Sequence, residues 1–301
     1  SSLTFLIPIR DQKKSPTITL EATGRQVAVK IVNFITKKPL AKVDIKVSDA
    51  EATTDKDGQA LLVLPANAAS QDAQLSLKGY LESKVKVTVS GQAELAVNTF
   101  TLVPSGKVYF MSKRTGRLDL MKSNIDGSDA KVVIAGTGTE QGYRTSLVPS
   151  ANFEYIALQT KRNANDASPQ LYLVGSDDKL RNIDSGNAEF YIHGWSGPNL
   201  IYSLSRNDLA NWQQGKYKLK SYDASSGKIT LLDQSAGSDE VTNAGENYAL
   251  VTLTGSTVTY AKNWSGYYGA SLSGKQHSLH SISATGQNLR LVSSYDAEKY
   301  S

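Results

Sequence analysis

The sequence predicts an all-β protein in two parts, a sandwich of short strands followed by a repeated array of small antiparallel sheets. Three observations carry this. Apolar and polar residues alternate in short runs bounded by Gly, Asn, Asp and Ser, and no long stretch has the apolar spacing of a helix. Residues 27–103 hold six or seven such runs, enough for two packed sheets. Beyond Val103 the pattern recurs with a long period, which marks a repeat architecture.

The chain begins at Ser1 without an initiator methionine, and Leu3–Ile9 is too short an apolar run for a membrane helix. It reads as a first strand or as the sequel to a removed segment, so a membrane tether upstream of residue 1 is an expectation. The next strand runs are Val27–Asn33, Val43–Val47, Ala60–Leu64, Ala73–Lys78, Ser83–Val89 and Glu94–Leu102. Between them, Asp55-Lys56-Asp57-Gly58 reads as a hairpin turn, and Gly58 and Gly79 supply backbone conformations that residues with a β-carbon resist.

The stretches KKPLAKVDIKV, ATTDKDGQALLVLP and LKGYLESKVKVTV resemble the carboxypeptidase regulatory-like and PEGA group of immunoglobulin-like sandwiches. The resemblance implies a structural module over residues 1–103, with its core in 27–103. The acidic turn at Asp55 lacks the further oxygen ligands and the downstream glutamate of an EF-hand calcium loop. Lys30 and Asn98 sit where similar Cna-type domains place an isopeptide crosslink, but AQLSLKGY offers no acid for that chemistry.

After Val103 four segments align, each reading as turn, strand, loop, strand, short turn and strand. Leu120, Leu173, Leu219 and Leu279 are their equivalent leucines, roughly 46 to 60 residues apart. Pro104-Ser105-Gly106-Lys107, Pro149-Ser150-Ala151-Asn152 and LDLMKSNIDGSD at 118–129 resemble the turn and strand motifs of TolB-like, WD-like β-propellers. The resemblance implies a propeller over 104–301 with four recognisable four-stranded blades. Complete propellers have four to eight blades, and VSSYDAEKYS reads as the approach to another, so an incomplete array is expected.

In a blade of strands a to d, the b–c and d–a connections share one face of the disc. The b–c loops read KRTG, KRNANDASP, RNDLANWQQG and KNWSGYYGASLSGK, and three of them exceed what closing a hairpin needs. Trp212, Trp264, Tyr267 and Tyr268, with Arg206 and Asn211, are the candidate binding residues; Arg162, Asn165 and Asn207 lie beside them. These residue types combine large contact area with hydrogen bonding at modest entropy cost. The alternative is that the aromatic rings fold back over the blade edges as core.

Composition narrows the function classes. The net charge of +5 is scattered along the chain without a basic block, which argues against nucleic acid. No cysteine is present to act as a nucleophile. His193 falls in an expected innermost strand, while His277 and His280 would face opposite sides of one strand, an arrangement that does not favour a shared metal. Gly194-Trp195-Ser196-Gly197-Pro198 falls short of a nucleophile elbow. The reading is a non-catalytic binding or scaffold protein without cofactor or metal, whose propeller face recognises a protein or glycan. Its expected place is extracytoplasmic, at a bacterial cell surface or anchored to a membrane. The alternative is the propeller portion of a larger hydrolase, such as a prolyl-oligopeptidase-like peptidase whose catalytic domain lies outside this chain.

Overall fold

The computed structural model describes residues 24–89, 98–166, 168–238, 244–266 and 272–297. Among these, regular structure is β throughout, apart from one 3-10 turn at Gly142–Arg144. The chain divides into two compact units, Ser1–Tyr109 with Lys122–Ala130, and Phe110–Met121 with Lys131–Ser301. No helix among the described residues is long and apolar enough to cross a membrane.

The first seven strands are β1 (Gly24–Asn33), β2 (Asp44–Val47), β3 (Ala50–Thr53), β4 (Gln59–Pro65), β5 (Ser70–Ser76), β6 (Ser83–Thr88) and β7 (Thr99–Leu102). They form two sheets, ordered β4-β1-β7 and β3-β2-β5-β6, with β1 and β7 parallel. Period-two alternation places Val27, Val29 and Ile31 of β1 and Leu62 and Leu64 of β4 in one core with Ile45, Val47, Leu75 and Val87 of the other sheet. The intervening Leu61 and Val63 point outward and are 56% and 61% exposed.

The structure corrects the reading of Asp55–Gly58 as a hairpin, because β3 and β4 belong to different sheets and the turn is a corner between them. The Asp55 carboxylate accepts the amides of Asp57 at 2.8 Å and Gln59 at 2.9 Å, which holds the corner closed. Gly58 is required twice over. Its φ is +71°, and a β-carbon there would lie 2.5 Å from the Ile31 carbonyl oxygen. The side-chain amide of buried Asn98 is engaged at both ends by the backbone of Thr88, at 2.9 and 3.0 Å, so it serves as a strand clasp.

The remaining strands are β8 (Lys107–Ser112), β9 (Asp119–Asn124), β10 (Lys131–Ile134), β11 (Ser146–Pro149), β12 (Ile156–Thr160), β13 (Gln170–Val174), β14 (Leu180–Asp184), β15 (Ala188–Ser196), β16 (Asn199–Arg206), β17 (Tyr217–Asp223), β18 (Ile229–Gln234), β19 (Ala244–Thr254), β20 (Thr257–Gly266), β21 (Gln276–Ser283) and β22 (Arg290–Asp296). They make three four-stranded sheets, each with its strands in chain order, preceded by a three-stranded sheet ordered β10-β9-β8. This is the layout of propeller blades.

The four repeat leucines fall on β9, β13, β17 and β21, the same position in each sheet. Leu120, Leu173 and Leu219 are buried, and Leu279 is half-buried. Among the described residues the first sheet has three strands where four are expected. β7 ends at Leu102 and β8 begins at Lys107, which leaves no chain between them for an inner strand.

The four-stranded sheets stack face to face. Leu171 and Leu173 of the first pack with Phe190, Leu200 and Tyr202 of the second, and the opposite face of the second packs Ile201 and Leu219 against Val258 and Tyr260 of the third. The first strands β11, β15 and β19 are neighbours along the stack. Trp195 of β15 donates its indole N–H to the Val148 carbonyl on β11 at 2.8 Å and stacks on Tyr155.

Candidate functional site

Strands that run in chain order through an antiparallel sheet send alternate connections to opposite ends. The β12–β13, β16–β17 and β20–β21 loops therefore emerge at the end where one sheet passes to the next. Hydrogen bonds tie the β12–β13 and β16–β17 loops to those passages. Arg162 donates to the Ala135 carbonyl at 2.9 Å and pairs with Glu140 at 3.2 Å, where the carboxylate is only 1% exposed. Burial raises the Glu140 pKa, but the amides of Thr137 and Gly138 outweigh it and hold the carboxyl below its ordinary range.

The β16–β17 loop is held the same way. The Asn207 amide donates to the Asn187 carbonyl at 2.8 Å, and the Trp212 carbonyl accepts the Ser238 amide at 2.8 Å. Gly245 is packed against the loop so closely that a β-carbon there would meet the Asn211 carbonyl oxygen at 2.6 Å. These loops are pinned rather than loose, so side chains at their tips are displayed from a fixed backbone.

The expected binding residues divide. Asn211 is exposed, Trp212 is half-buried, and both lie in the pinned loop. Arg206 ends β16 and pairs with Asp208 through Nε at 3.0 Å and through a second N–H. Trp264 is a correction to the expectation of a displayed loop ring. It lies within β20, opposite Glu246 of β19, and is 9% exposed. Its ring packs with Ala244, Ala297 and Leu272, and the Lys275 ammonium sits 4.3 Å above it. Its amide donates to His277 Nδ1 at 3.2 Å. The cause is pairing with β19, which carries β20 to Gly266 where glycine and serine content suggests a loop. Tyr267 and Tyr268 lie outside the described residues.

Next to the pinned loop is a pocket of about 290 Å³ that the sequence reading does not identify, lined by Tyr191, His193, Ser203, Tyr217, Asn247 and Tyr248. Four strands of two adjacent sheets converge there, β15, β16, β17 and β19. The Tyr217 hydroxyl donates to Asn211 Oδ1 at 3.4 Å, which connects the pocket to the loop. Tyr191 is 55% exposed and presents a ring at the mouth. His193 Nε2 lies 2.9 Å from Ser203 Oγ, and burial lowers the imidazole pKa to about 4, so the ring is neutral at physiological pH. Burial likewise pushes the Tyr217 and Tyr248 phenols up. The pocket is therefore aromatic, hydrogen-bonding and uncharged. The available signal is the tyrosine and polar content of EFYIHGW and ENYALV, the first strands of two consecutive repeats.

No protein-family model matches the sequence. No curated protein matches it either. Among solved structures, TolB from Acinetobacter baumannii matches at 11% identity over 85% of this chain and 65% of its own, with a TM-score of 0.34. Oligogalacturonate lyase from Vibrio parahaemolyticus matches at 13% identity over 91% of this chain and 74% of its own, with a TM-score of 0.39. A prolyl endopeptidase matches at 11% identity over 83% of this chain, with a TM-score of 0.35. The chain spans 65% of that TolB and 42% of that endopeptidase. Scores and identities of this size carry no argument about what the chain does.

Proposed function

We propose that this chain is a non-catalytic extracytoplasmic binding protein. Its N-terminal part, residues 1–103, is an immunoglobulin-like spacer, and its second part, residues 104–301, is a set of propeller blades. The loop-bearing end of the blades recognises a glycan or a protein surface. The observation that carries the reading is the pocket beside the pinned β16–β17 loop. Three tyrosines line it with His193, Ser203 and Asn247, so ring faces and neutral hydrogen-bonding groups converge on one small space. Ligand sites join apolar surface to a few placed polar groups in this way, although at about 300 Å³ the pocket is at the small end of their range. An uncharged lining suits a hydroxyl-bearing sugar ring, or a neutral side chain of a partner protein, better than an ion.

The His193–Ser203 pair does not change this reading. Ser203 is 7% exposed within a strand, and burial alone accounts for the lowered histidine pKa, with no carboxylate contributing to it. A general base needs an orienting group and a reachable nucleophile. The test is an array of neutral oligosaccharides probed with the wild-type chain and with Tyr191→Ala. Retention on at least one glycan, at least tenfold weaker in the variant, is the expected result. Because Tyr191 is largely exposed, the variant should melt close to the wild type. Absence of retention, or equal retention by both proteins, would remove the glycan reading.

A further inference from the structure

Lys218 and Lys220 are two apart on β17, and Lys216 just precedes the strand, so the Lys218 and Lys220 side chains fall on one face of the sheet, opposite to that of Leu219. Their partners across β16 carry the same face. Lys220 stands opposite Tyr202 and Lys218 opposite Leu204, while Arg206 lies two residues further along. This face looks onto a cleft of about 310 Å³; the tyrosine pocket is lined by Ser203 and Tyr217, which alternate to the other face of the same sheet, and Leu204 borders both. Arg206, Lys218 and Lys220 border the cleft together with Asp184 and Asp208, and Phe190 and Leu204 form its apolar floor.

The charges can be accounted for one by one. Lys220 donates to Asp184 at 2.6 Å, with side-chain exposures of 18% and 15%, and that carboxylate also accepts the Tyr202 hydroxyl at 2.9 Å. Asp208 is engaged by Arg206. Lys216, 8% exposed, donates to the Arg206 carbonyl. Among the described residues, Lys218 has no carboxylate within ion-pair distance. Two carboxylates in the cleft are thus matched by two cations, and one ammonium remains. A cation beside an apolar floor is less screened than one on an open surface, so an anion brought next to it is held more strongly.

We propose that this cleft binds a small oxyanion, a carboxylate or phosphate group, with the Lys218 ammonium as its principal partner. The site does not rest on the tyrosine pocket or on its proposed ligand. Lys218 is half-exposed and has no ion pair to lose, so Lys218→Gln leaves no buried charge stranded.

The experiment is isothermal titration calorimetry with inorganic phosphate and, separately, succinate. It compares the wild-type chain with Lys218→Gln, and with Lys228→Gln as an exposed-lysine control. Saturable binding of one anion is expected, at least tenfold weaker in Lys218→Gln, unchanged in Lys228→Gln and weakened by added sodium chloride. The anion that binds identifies the group as phosphate or carboxylate. No saturable binding of either, or equal binding by Lys218→Gln and wild type, overturns the proposal. Tyr191→Ala should bind the anion as wild type does, so this site and the tyrosine pocket fail or stand separately.

Discussion

Asp184, on the last strand of one four-stranded sheet, accepts a 2.9 Å hydrogen bond from the hydroxyl of Tyr202, on the second strand of the next sheet. One sheet later Asp233 accepts the same bond from Tyr260, again at 2.9 Å. A lysine completes each group, Lys220 beside Asp184 at 2.6 Å and Lys262 beside Asp233 at 3.3 Å, with Glu246 adding a second carboxylate to Lys262 at 2.9 Å. The tie crosses the seam between stacked sheets at a point where apolar packing alone would let one sheet slide over another.

Removing the carboxylate should cost far more than removing the hydroxyl. Asp184→Ala strands the nearly buried Lys220 ammonium and should destabilise by about 3–5 kcal/mol. Tyr202→Phe keeps the ion pair and the ring, and should cost about 1–2 kcal/mol. Urea unfolding of both variants checks the order, and equal losses would show that the lysine finds water instead.

The same seams should make the protein sensitive to alkali. Burial first, and then Asp184 for Tyr202 and Asp233 for Tyr248 and Tyr260, raises these phenols well above the ordinary 10.0. A folded phenol that keeps its proton where the unfolded chain loses it makes stability fall as pH rises above that value. Denaturant midpoints measured on either side of pH 10 should decline, and tyrosinate absorbance from these three rings should appear only with unfolding.

On the acid side the sign is reversed for His193. Burial lowers its pKa from 6.5 to about 4, so its contribution is complete above the unfolded value and is lost as pH falls from 6.5 towards 4. The full loss is on the order of 3 kcal/mol. His193→Gln can keep a hydrogen bond to Ser203 and should flatten that part of the stability profile. A slope unchanged in the variant would assign it to other groups, His280 among them, whose pKa burial also lowers.

Trp264 and Trp212 should separate in a thermal melt. Trp264→Ala removes a nearly buried ring from its contacts with Ala244, Leu272 and Ala297, and should cost about 3–5 kcal/mol. Trp212 is half-buried and its loop is held through its backbone carbonyl, so Trp212→Ala should cost about 1 kcal/mol or less. Comparable losses would place the Trp212 ring in the structural core as well.

The strands are legible because alternation is a local property. Val27, Val29 and Ile31 announce one face of β1 whatever lies opposite, and the recurrence of Leu120, Leu173 and Leu219 marks equivalent strands without any knowledge of their neighbours. Short β3 escapes notice because AEAT has neither the length nor the apolar content to stand out. The covered position of Trp264 is hidden for a related reason. NWSG has weak strand propensity of its own, and only its partners on β19 extend β20 that far.

The candidate sites are harder to see than the strands. Arg206 and Asn211 stand out as loop residues, yet the side chains that line the tyrosine pocket come from β15, β16, β17 and β19, far apart along the chain. Each of those tyrosines reads singly as an ordinary strand residue. The lysine run at 216, 218 and 220 is in plain view, but its meaning depends on which of the three already has a partner.

By itself, then, the amino-acid sequence determined that the protein is all β, where most strands lie and that its second part repeats, since these depend on side-chain period and turn chemistry within a few residues. Only the tertiary structure decided that Asp55–Gly58 joins two sheets, that Trp264 is covered, and that Lys218 alone among the cations of its cleft lacks a carboxylate among the described residues. Those outcomes depend on which strand lies beside which, and burial and charge pairing are settled between elements that alternation along one strand cannot bring together.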